Sequence, residues 1–339
     1  KDEVIVEVCR DILKKKRAEL TAQAADLNRY IGEIDAEIES LLKAGPGDSG
    51  TWGVPFSVFP VLYCPDCQVP LRLDGASLSQ GAITSGELSC ECGYRARIED
   101  GILLTGEASE DTPFKAFENV QSLMAMKDQL SPAYRRLVSK TYQYFLNRLS
   151  VTAGEHRMML TGPFTFNFLL EFIEKLGGEN TFIVFDPSLR RIQKLRQYLS
   201  ALSPNLVFVV GTPASIPFKK ESLDVFLDDY CTVNSLFTYN TFSTSELGAL
   251  LRPGGEALGI FTSYAAAPDS LANFRQDHPD FLPERMTLSA LKQAWQKAGA
   301  RWVEQKSMGR TTPGETHFDR NAPGEVVEVF GYICKKEGK

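Results

Sequence analysis

Two tight cysteine pairs carry the most specific chemistry in the chain. In "YCPDCQVPL" and "LSCECGYRARIEDGILL", Cys64 and Cys67 form a C-x-x-C pair, and Cys90 and Cys92 form a C-x-C pair. Tetrahedral zinc needs four soft or borderline donors, and two knuckles of closely spaced thiolates supply them from two hairpins. Pro65 and Gly93 suit the tight turns that aim thiolates at one point. Four unrelated buried cysteines are the plainer account, and the C-x-C spacing is less common than C-x-x-C, but paired spacing favours a metal. No fifth donor or open position is evident, so the expected ion is a structural zinc that helps a short segment fold.

A second candidate site lies in "RMMLTGPFTFNFLLEFIEKLGGENTFIVFDPSLRRIQKL", residues 157–195. It reads as strand, turn, helix, strand, acid, helix. Nucleotide-binding α/β proteins place a glycine cluster in the first turn. Here "TGPFTFN" holds one glycine, Gly162, followed by Pro163, Phe164 and Phe166. Asp186 closes "FIVFD", 24 residues after Gly162, where a carboxylate can accept both ribose hydroxyls. "DPS" is also a good helix start, so capping the helix from Ser188 is the alternative role of Asp186. Further along, Glu315, His317 and Asp319 in "GETHFDRNAPGE" fit either a metal or proton-transfer cluster or a polar hairpin loop. Phe237, Tyr239 and Phe242 suit either a cover for a planar substrate or helix-core packing.

The elements that must position these residues follow from periodicity. Strands are expected at "MMLTG", "TFIVFD", "LVFVVG", "LDVFLDDY", "EALGIFTSY", "RWVEQKS" and "EVVEVFGYICK". Helices are expected at 165–176, 188–202, 241–251 and 286–298. Alternating strands and helices make a mainly parallel doubly wound sheet, with the last two strands an antiparallel edge hairpin. Residues 111–154 read as a helical connector, and "KAGPGDSG" at 43–50 as a linker. Residues 1–44 carry heptads: Leu13, Leu20, Leu27, Ile34 and Leu41 recur every seven residues, with Ala24, Ile31 and Ile38 between them and Arg17 interrupting. That pattern predicts a coiled-coil helix and a homodimer, with packing on its own domain as the alternative. The expected units are therefore 1–44, 52–108, 111–154 and 155–339.

Composition sets the limits. With 339 residues, 43% hydrophobic and 24% charged, the chain has material for two or three cores. A net charge of −6 argues against one strongly basic nucleic-acid surface. Basic residues such as Arg190, Arg191, Lys194 and Arg196 are scattered along a helix, and solvation of that helix is their simplest use. No apolar run approaches the roughly 20 residues that span a bilayer, and no secretory signal opens the chain, so no membrane partner is expected. Seven cysteines with four in tight pairs point to metal binding in a reducing cytoplasm. A start at Lys1 is that expected of a fragment.

Three resemblances build on these motifs. The CPxC pair followed by Pro-Leu, the Cys-Gly-Tyr cluster and "IEDGILLTG" resemble the zinc ribbon of tRNA-methyltransferase activator subunits and of bacterial rRNA guanine methyltransferases. "GTPASIPFKKESLDVFLDDY" (211–230), "LRPGGEALGIF" (251–261) and "LSALKQAWQKAGARWVEQ" (288–305) resemble class I S-adenosylmethionine-dependent methyltransferases. That likeness implies a seven-stranded doubly wound, Rossmann-like sheet over residues 155–336. It also implies a crevice formed by Gly162, Asp186, Gly211 to Ser215 and Asp228 to Asn234. Gly162, Asp186, Gly211, Thr212, Ala214 and Ser215 are then the cofactor-binding candidates. Asp228, Asp229 and Tyr230 are the catalytic candidates, though alternate strand residues face opposite ways. The chain departs from the family in its first turn, and in Thr212 and Pro213 where an acid is expected. "ILKKKRAEL" and the heptads resemble the dimerisation helix of MerR-type regulators. The expected function is methyl transfer from S-adenosylmethionine to a small molecule or RNA. The alternative is a non-enzymatic ligand sensor, touching DNA only through a domain upstream of Lys1.

Overall fold

The computed structural model describes residues 10–21, 52–106, 130–151, 156–162, 166–176, 180–199, 205–314 and 321–338. The chain divides into two units, Lys1–Asp48 and Ser49–Lys339. In the first, residues 10–21 form helix α1, on which Ile12, Leu13 and Leu20 are all exposed. The expected seam from Ala24 to Leu41 lies outside the described residues, as do Glu315, His317 and Asp319. No described helix is long and apolar enough to cross a membrane.

The second unit is built on one sheet. Its strands are β1 (Val54–Pro55), β2 (Arg72–Ser79), β3 (Ala82–Ser89), β4 (Arg95–Glu99), β5 (Ile102–Thr105) and β6 (Met158–Thr161). They continue with β7 (Thr181–Asp186), β8 (Leu206–Val210), β9 (Leu223–Asp228), β10 (Leu251–Ser263), β11 (Ala300–Thr311) and β12 (Val327–Lys336). The order is β1-β3-β4-β5-β8-β7-β6-β9-β10-β12-β11, with β2 paired to β3. Strands from β5 to β10 run parallel, and β12 and β11 close that end antiparallel, as expected.

The seven strands expected over residues 155–336 are present as β6 to β12, and β1 to β5 join them in a single sheet of twelve. The cysteine-bearing hairpins do not form a separate sheet, because β5 pairs in parallel with β8, Leu103 opposite Val209. All four residues of β5 are buried, and the pairing covers an edge of β8 that would otherwise expose unpaired backbone groups. Trp52 adds a ring contact to Phe208 at 5.7 Å. Every residue of β7 and β8 is buried. That fits their continuous apolar runs, since a parallel strand covered on both faces has no polar side. At the other edge, β11 exposes Arg301, Glu304 and Lys306, charged residues that discourage further strand pairing.

The helices are α2 (Pro132–Ser150), α3 (Phe166–Leu176), α4 (Leu189–Leu199), α5 (Cys231–Tyr239), α6 (Thr244–Leu250), α7 (Pro268–Asp277) and α8 (Leu288–Lys297). Neither α5 nor α7 was expected from the sequence. Helix α2 starts with Ser131, whose Oγ accepts from the Tyr134 amide at 3.1 Å and donates to the Thr312 carbonyl at 2.6 Å. It buries Tyr134, Thr141, Phe145, Leu146 and Leu149, and packs on β10, β11, β12 and α3. The expected connector is thus a working layer of the sheet domain.

Candidate functional site

Strand β6 lies between β7 and β9, so the chain steps outward to β8 and then returns across β6 to β9. At such a reversal the loops leave the carboxyl ends in opposite directions and open a crevice. Gly162 follows β6 directly. A side chain there would sit 2.5 Å from the Cys231 sulfur and 3.3 Å from the Phe185 ring, so close packing by the first residue of α5 requires the glycine. Pro163 and Phe164 lie outside the described residues.

Asp186, at the end of β7, is buried and fully engaged. Oδ1 accepts from the Ser188 amide at 2.7 Å and from Arg191 Nη2 at 2.6 Å, while Oδ2 accepts from Arg191 Nε at 2.9 Å. Burial pushes the carboxyl above its ordinary range, and the Arg191 guanidinium works against that. The expectation that the basic residues of α4 are merely solvated is corrected for Arg191. It is 8% exposed, because the first turn of α4 carries it back over the carboxylate that starts the helix.

The Asp186 carbonyl accepts from the Gly211 amide at 3.0 Å, which joins the ends of β7 and β8. A side chain at Gly211 would meet Thr105 Oγ1 at 2.7 Å and Ser215 Oγ at 2.8 Å. The Thr105 hydroxyl donates to the Val210 carbonyl at 3.0 Å and lies 3.0 Å from Ser215 Oγ. The Thr212 amide donates to Ser215 Oγ at 2.8 Å, and Tyr94 donates to the Ser215 carbonyl at 3.1 Å. The cysteine-bearing segment therefore holds the loop from Gly211 to Ser215, with Thr212 and Pro213 partly exposed and Ala214 exposed.

At the end of β9 the neighbouring candidates separate. Asp228 is 1% exposed and accepts from the Thr232 amide at 2.8 Å, from the Thr232 hydroxyl and from the Tyr332 hydroxyl. It caps α5. Burial raises its pKa, and these bonds oppose the rise. Asp229 is 5% exposed, and its Oδ1 accepts from the Tyr142 hydroxyl at 3.1 Å. Its Oδ2 takes no hydrogen bond from a described residue. Burial pushes this carboxyl up to about 7, with the Asp228 charge adding and the Tyr142 bond opposing. Tyr230 adopts φ 59°, ψ 6°, a left-handed conformation that costs a bulky residue roughly 1–3 kcal/mol. That turn carries its hydroxyl to Tyr134 at 2.9 Å and to Thr262 at 3.2 Å.

Cys231 registers the convergence. Its thiol is driven well above the ordinary range by burial, and then by Asp228, Asp186 and Asp229. Three carboxylates thus act on one buried point. Tyr134, Tyr142, Arg191 and Thr262 are not among the site residues read from the sequence, and Cys231 is there only as part of the span Asp228 to Asn234. Two phenols eight residues apart on one helix were the available signal. Phe237 stacks on Phe281 at 5.0 Å and meets Phe274 edge-on at 5.7 Å, and Phe242 packs on the same core, so packing accounts for both. Tyr239 is exposed.

The four cysteines are brought together. Their sulfur atoms lie within 4.8 Å of one another, with Cys64 to Cys92 at 3.4 Å and Cys67 to Cys90 at 3.3 Å. Four thiolates at ~2.3 Å from a central tetrahedral ion would be roughly 3.8 Å apart, so the cluster has the dimensions of such a site. Each pair sits on a tight turn, closed by the Gln68 amide to the Cys64 carbonyl at 3.0 Å and by the Gly93 amide to the Cys90 carbonyl at 3.1 Å. The Cys92 amide and the Cys67 thiol bring Cys90 down to about 7, while burial pushes Cys64 up to about 12 and the Cys90 thiol raises Cys67.

No family model matches the chain, and no curated protein sequence matches it. Similar solved structures include the complex of the Haloferax volcanii Trm112 methyltransferase activator with a candidate methyltransferase. It is 17% identical, covers 66% of this chain and 99% of that one, and has a TM-score of 0.44. Geranyl diphosphate C-methyltransferase from Streptomyces coelicolor, solved with Mg2+, geranyl diphosphate and S-adenosyl-L-homocysteine, is 11% identical. It covers 60% of this chain and 80% of that one, with a TM-score of 0.45. The [4+2]-cyclase SpnF is 11% identical over 57% of this chain and 79% of that one, with a TM-score of 0.41. The strand order and the site geometry stand independently of these likenesses.

Proposed function

We propose that the chain is an S-adenosylmethionine-dependent methyltransferase braced by a structural zinc ion at Cys64, Cys67, Cys90 and Cys92. One observation carries the methyltransferase reading. Gly162, Asp186, Gly211 to Ser215 and Asp228 to Cys231 converge at the reversal in strand order, on the carboxyl ends of four neighbouring strands. Their chemistry suits a cation: among the described residues, Asp186 alone of the three buried carboxyls there has an arginine partner. When bound, S-adenosylmethionine supplies an electrophilic methyl group on a positively charged sulfur.

The residues divide the work by position. The close-packed backbone at Gly162 lines the crevice floor, and the 211–215 loop forms the wall fixed by Thr105 and Tyr94. Asp186 reaches ribose hydroxyls only by sharing oxygens already used by Arg191 and Ser188. Asp228 supports α5 from beneath. Orientation of an acceptor along the sulfur–methyl axis is the main requirement of the transfer. Calorimetric titration with S-adenosylmethionine and S-adenosylhomocysteine tests the reading. Binding of both in the micromolar range is expected, and no heat at millimolar ligand would refute it.

A further inference from the structure

Five oxygen-bearing side chains from three elements meet beside α2. Tyr134 and Tyr142 come from α2, Asp229 and Tyr230 from the turn between β9 and α5, and Thr262 from the end of β10. Tyr134, Tyr230 and Thr262 close a triangle of hydroxyls with sides of 2.9, 2.9 and 3.2 Å. A closed ring of three hydroxyls uses its protons internally, so it presents acceptor capacity to a ligand. Asp229 stands next to it, held at Oδ1 by Tyr142 and open at Oδ2. Tyr142 and Tyr230 are partly exposed, so this wall borders reachable space.

Among the described residues neither Asp228 nor Asp229 forms an ion pair, and Arg191 is engaged by Asp186. A buried carboxylate with an open oxygen is costly unless a donor or a cation completes it. A ligand bringing N–H groups and positive charge completes it; one bringing a carboxylate or phosphate meets repulsion.

We propose, building on the methyltransferase reading, that the acceptor is an amine, docked as its ammonium against Asp229 and the Tyr134–Tyr230–Thr262 triangle. Asp229 is then the catalytic base. Its Oδ2 takes one proton from the ammonium nitrogen and frees that nitrogen's lone pair. The lone pair forms the new bond to the methyl carbon, and the carbon–sulfur bonding pair passes to sulfur, leaving a neutral thioether. The methylated product departs as an ammonium, and Asp229 returns its proton to solvent.

The test is calorimetric titration of the full chain with benzylammonium, benzyl alcohol and benzoate near pH 8, with and without S-adenosylhomocysteine. Benzylammonium should bind at least about tenfold more tightly than either neighbour, the scale of one charge-assisted contact. Asp229→Asn, shown to be folded by its thermal transition, should erase that preference. A second arm needs no variant: benzylammonium affinity should fall by up to about thirtyfold from about pH 8 to about pH 5.5 as Asp229 takes up its proton. The groups facing Asp229 are Tyr134 and Tyr142 from α2, and Asp228, Tyr230 and Cys231 on its own turn. The Tyr142 and Tyr230 phenols and the Cys231 thiol are held neutral by burial throughout that range. Equal binding of the alcohol or benzoate, a preference that survives Asp229→Asn, or no binding of any probe would overturn the proposal. The arm without S-adenosylhomocysteine reads Asp229 directly, so failure of cofactor binding and failure of amine recognition are separate results.

Discussion

Asp229→Asn removes one ionisation from the crevice while leaving an Oδ1 acceptor for Tyr142. The carboxyl stands at about 7 in the folded chain against 3.8 for an ordinary aspartate. The folded state therefore holds this proton more tightly than the unfolded state. Its contribution to stability is complete below the unfolded value and is lost as pH rises through the folded one. Worked through the linkage relation, a shift of this size costs the native state about 2.5 kcal/mol between about pH 5 and about pH 8. Asp186 is shifted upward in both proteins and cancels in the comparison, whereas the Asp228 charge is one cause of the Asp229 shift, so its response belongs to the measured difference. Denaturant unfolding of both proteins at the two pH values gives the difference directly. The native chain should lose about 2.5 kcal/mol more than the variant, which makes Asp229→Asn relatively stabilising on the alkaline side. Parallel stability curves would show that Asp229 is not held protonated by burial, and the argument from its surroundings would fail.

Two further changes probe the rest of the site. Arg191→Met strands Asp186 as a buried charge and should cost roughly 3–5 kcal/mol near pH 8, whereas the Asp186→Asn, Arg191→Met double variant should recover much of it. Equal costs for the single and double variants in denaturant unfolding would show that the pair is not the source of the effect. Cys64→Ser should lower zinc content measured by elemental analysis, and should speed hydrogen exchange at Gly211 to Ser215, since Thr105 and Tyr94 hold that loop. Full zinc retention would refute the four-cysteine site.

The parts of the fold legible in the sequence were those whose signal is local. "TFIVFD" and "LVFVV" are unbroken apolar runs of strand length, and strands buried on both faces produce just that pattern. The addition of β5 to β8 left no such trace. "ILLT" reads the same whether its backbone pairs with a neighbouring hairpin or with a strand a hundred residues away. Helix α5 was missed because "CTVNSLFTY" combines β-branched and turn-forming residues, and its start depends on the left-handed Tyr230. Helix α7 is short, and its Pro-Asp-Ser opening reads as a turn until Glu325 caps it by accepting from the Asp269 and Ser270 amides at 2.9 and 2.7 Å.

The site divides along the same line. Acids at strand ends could be found from the sequence because position in a strand–turn–helix unit is itself local, and the cysteines because both members of each pair lie on one turn. What each acid does depends on partners that only tertiary structure supplies. Asp186 and Asp228 both follow apolar strands, and both become caps for the next helix, one with Arg191 and one with Thr232 and Tyr332. Asp229, adjacent to a cap and in the turn after β9, meets Tyr142 from a helix 87 residues earlier. The adjacency that made the acids hard to rank therefore separates them in function. One neighbour is saturated with hydrogen bonds and braces α5. The other keeps an open oxygen where the crevice meets α2, which is the arrangement a proton acceptor requires.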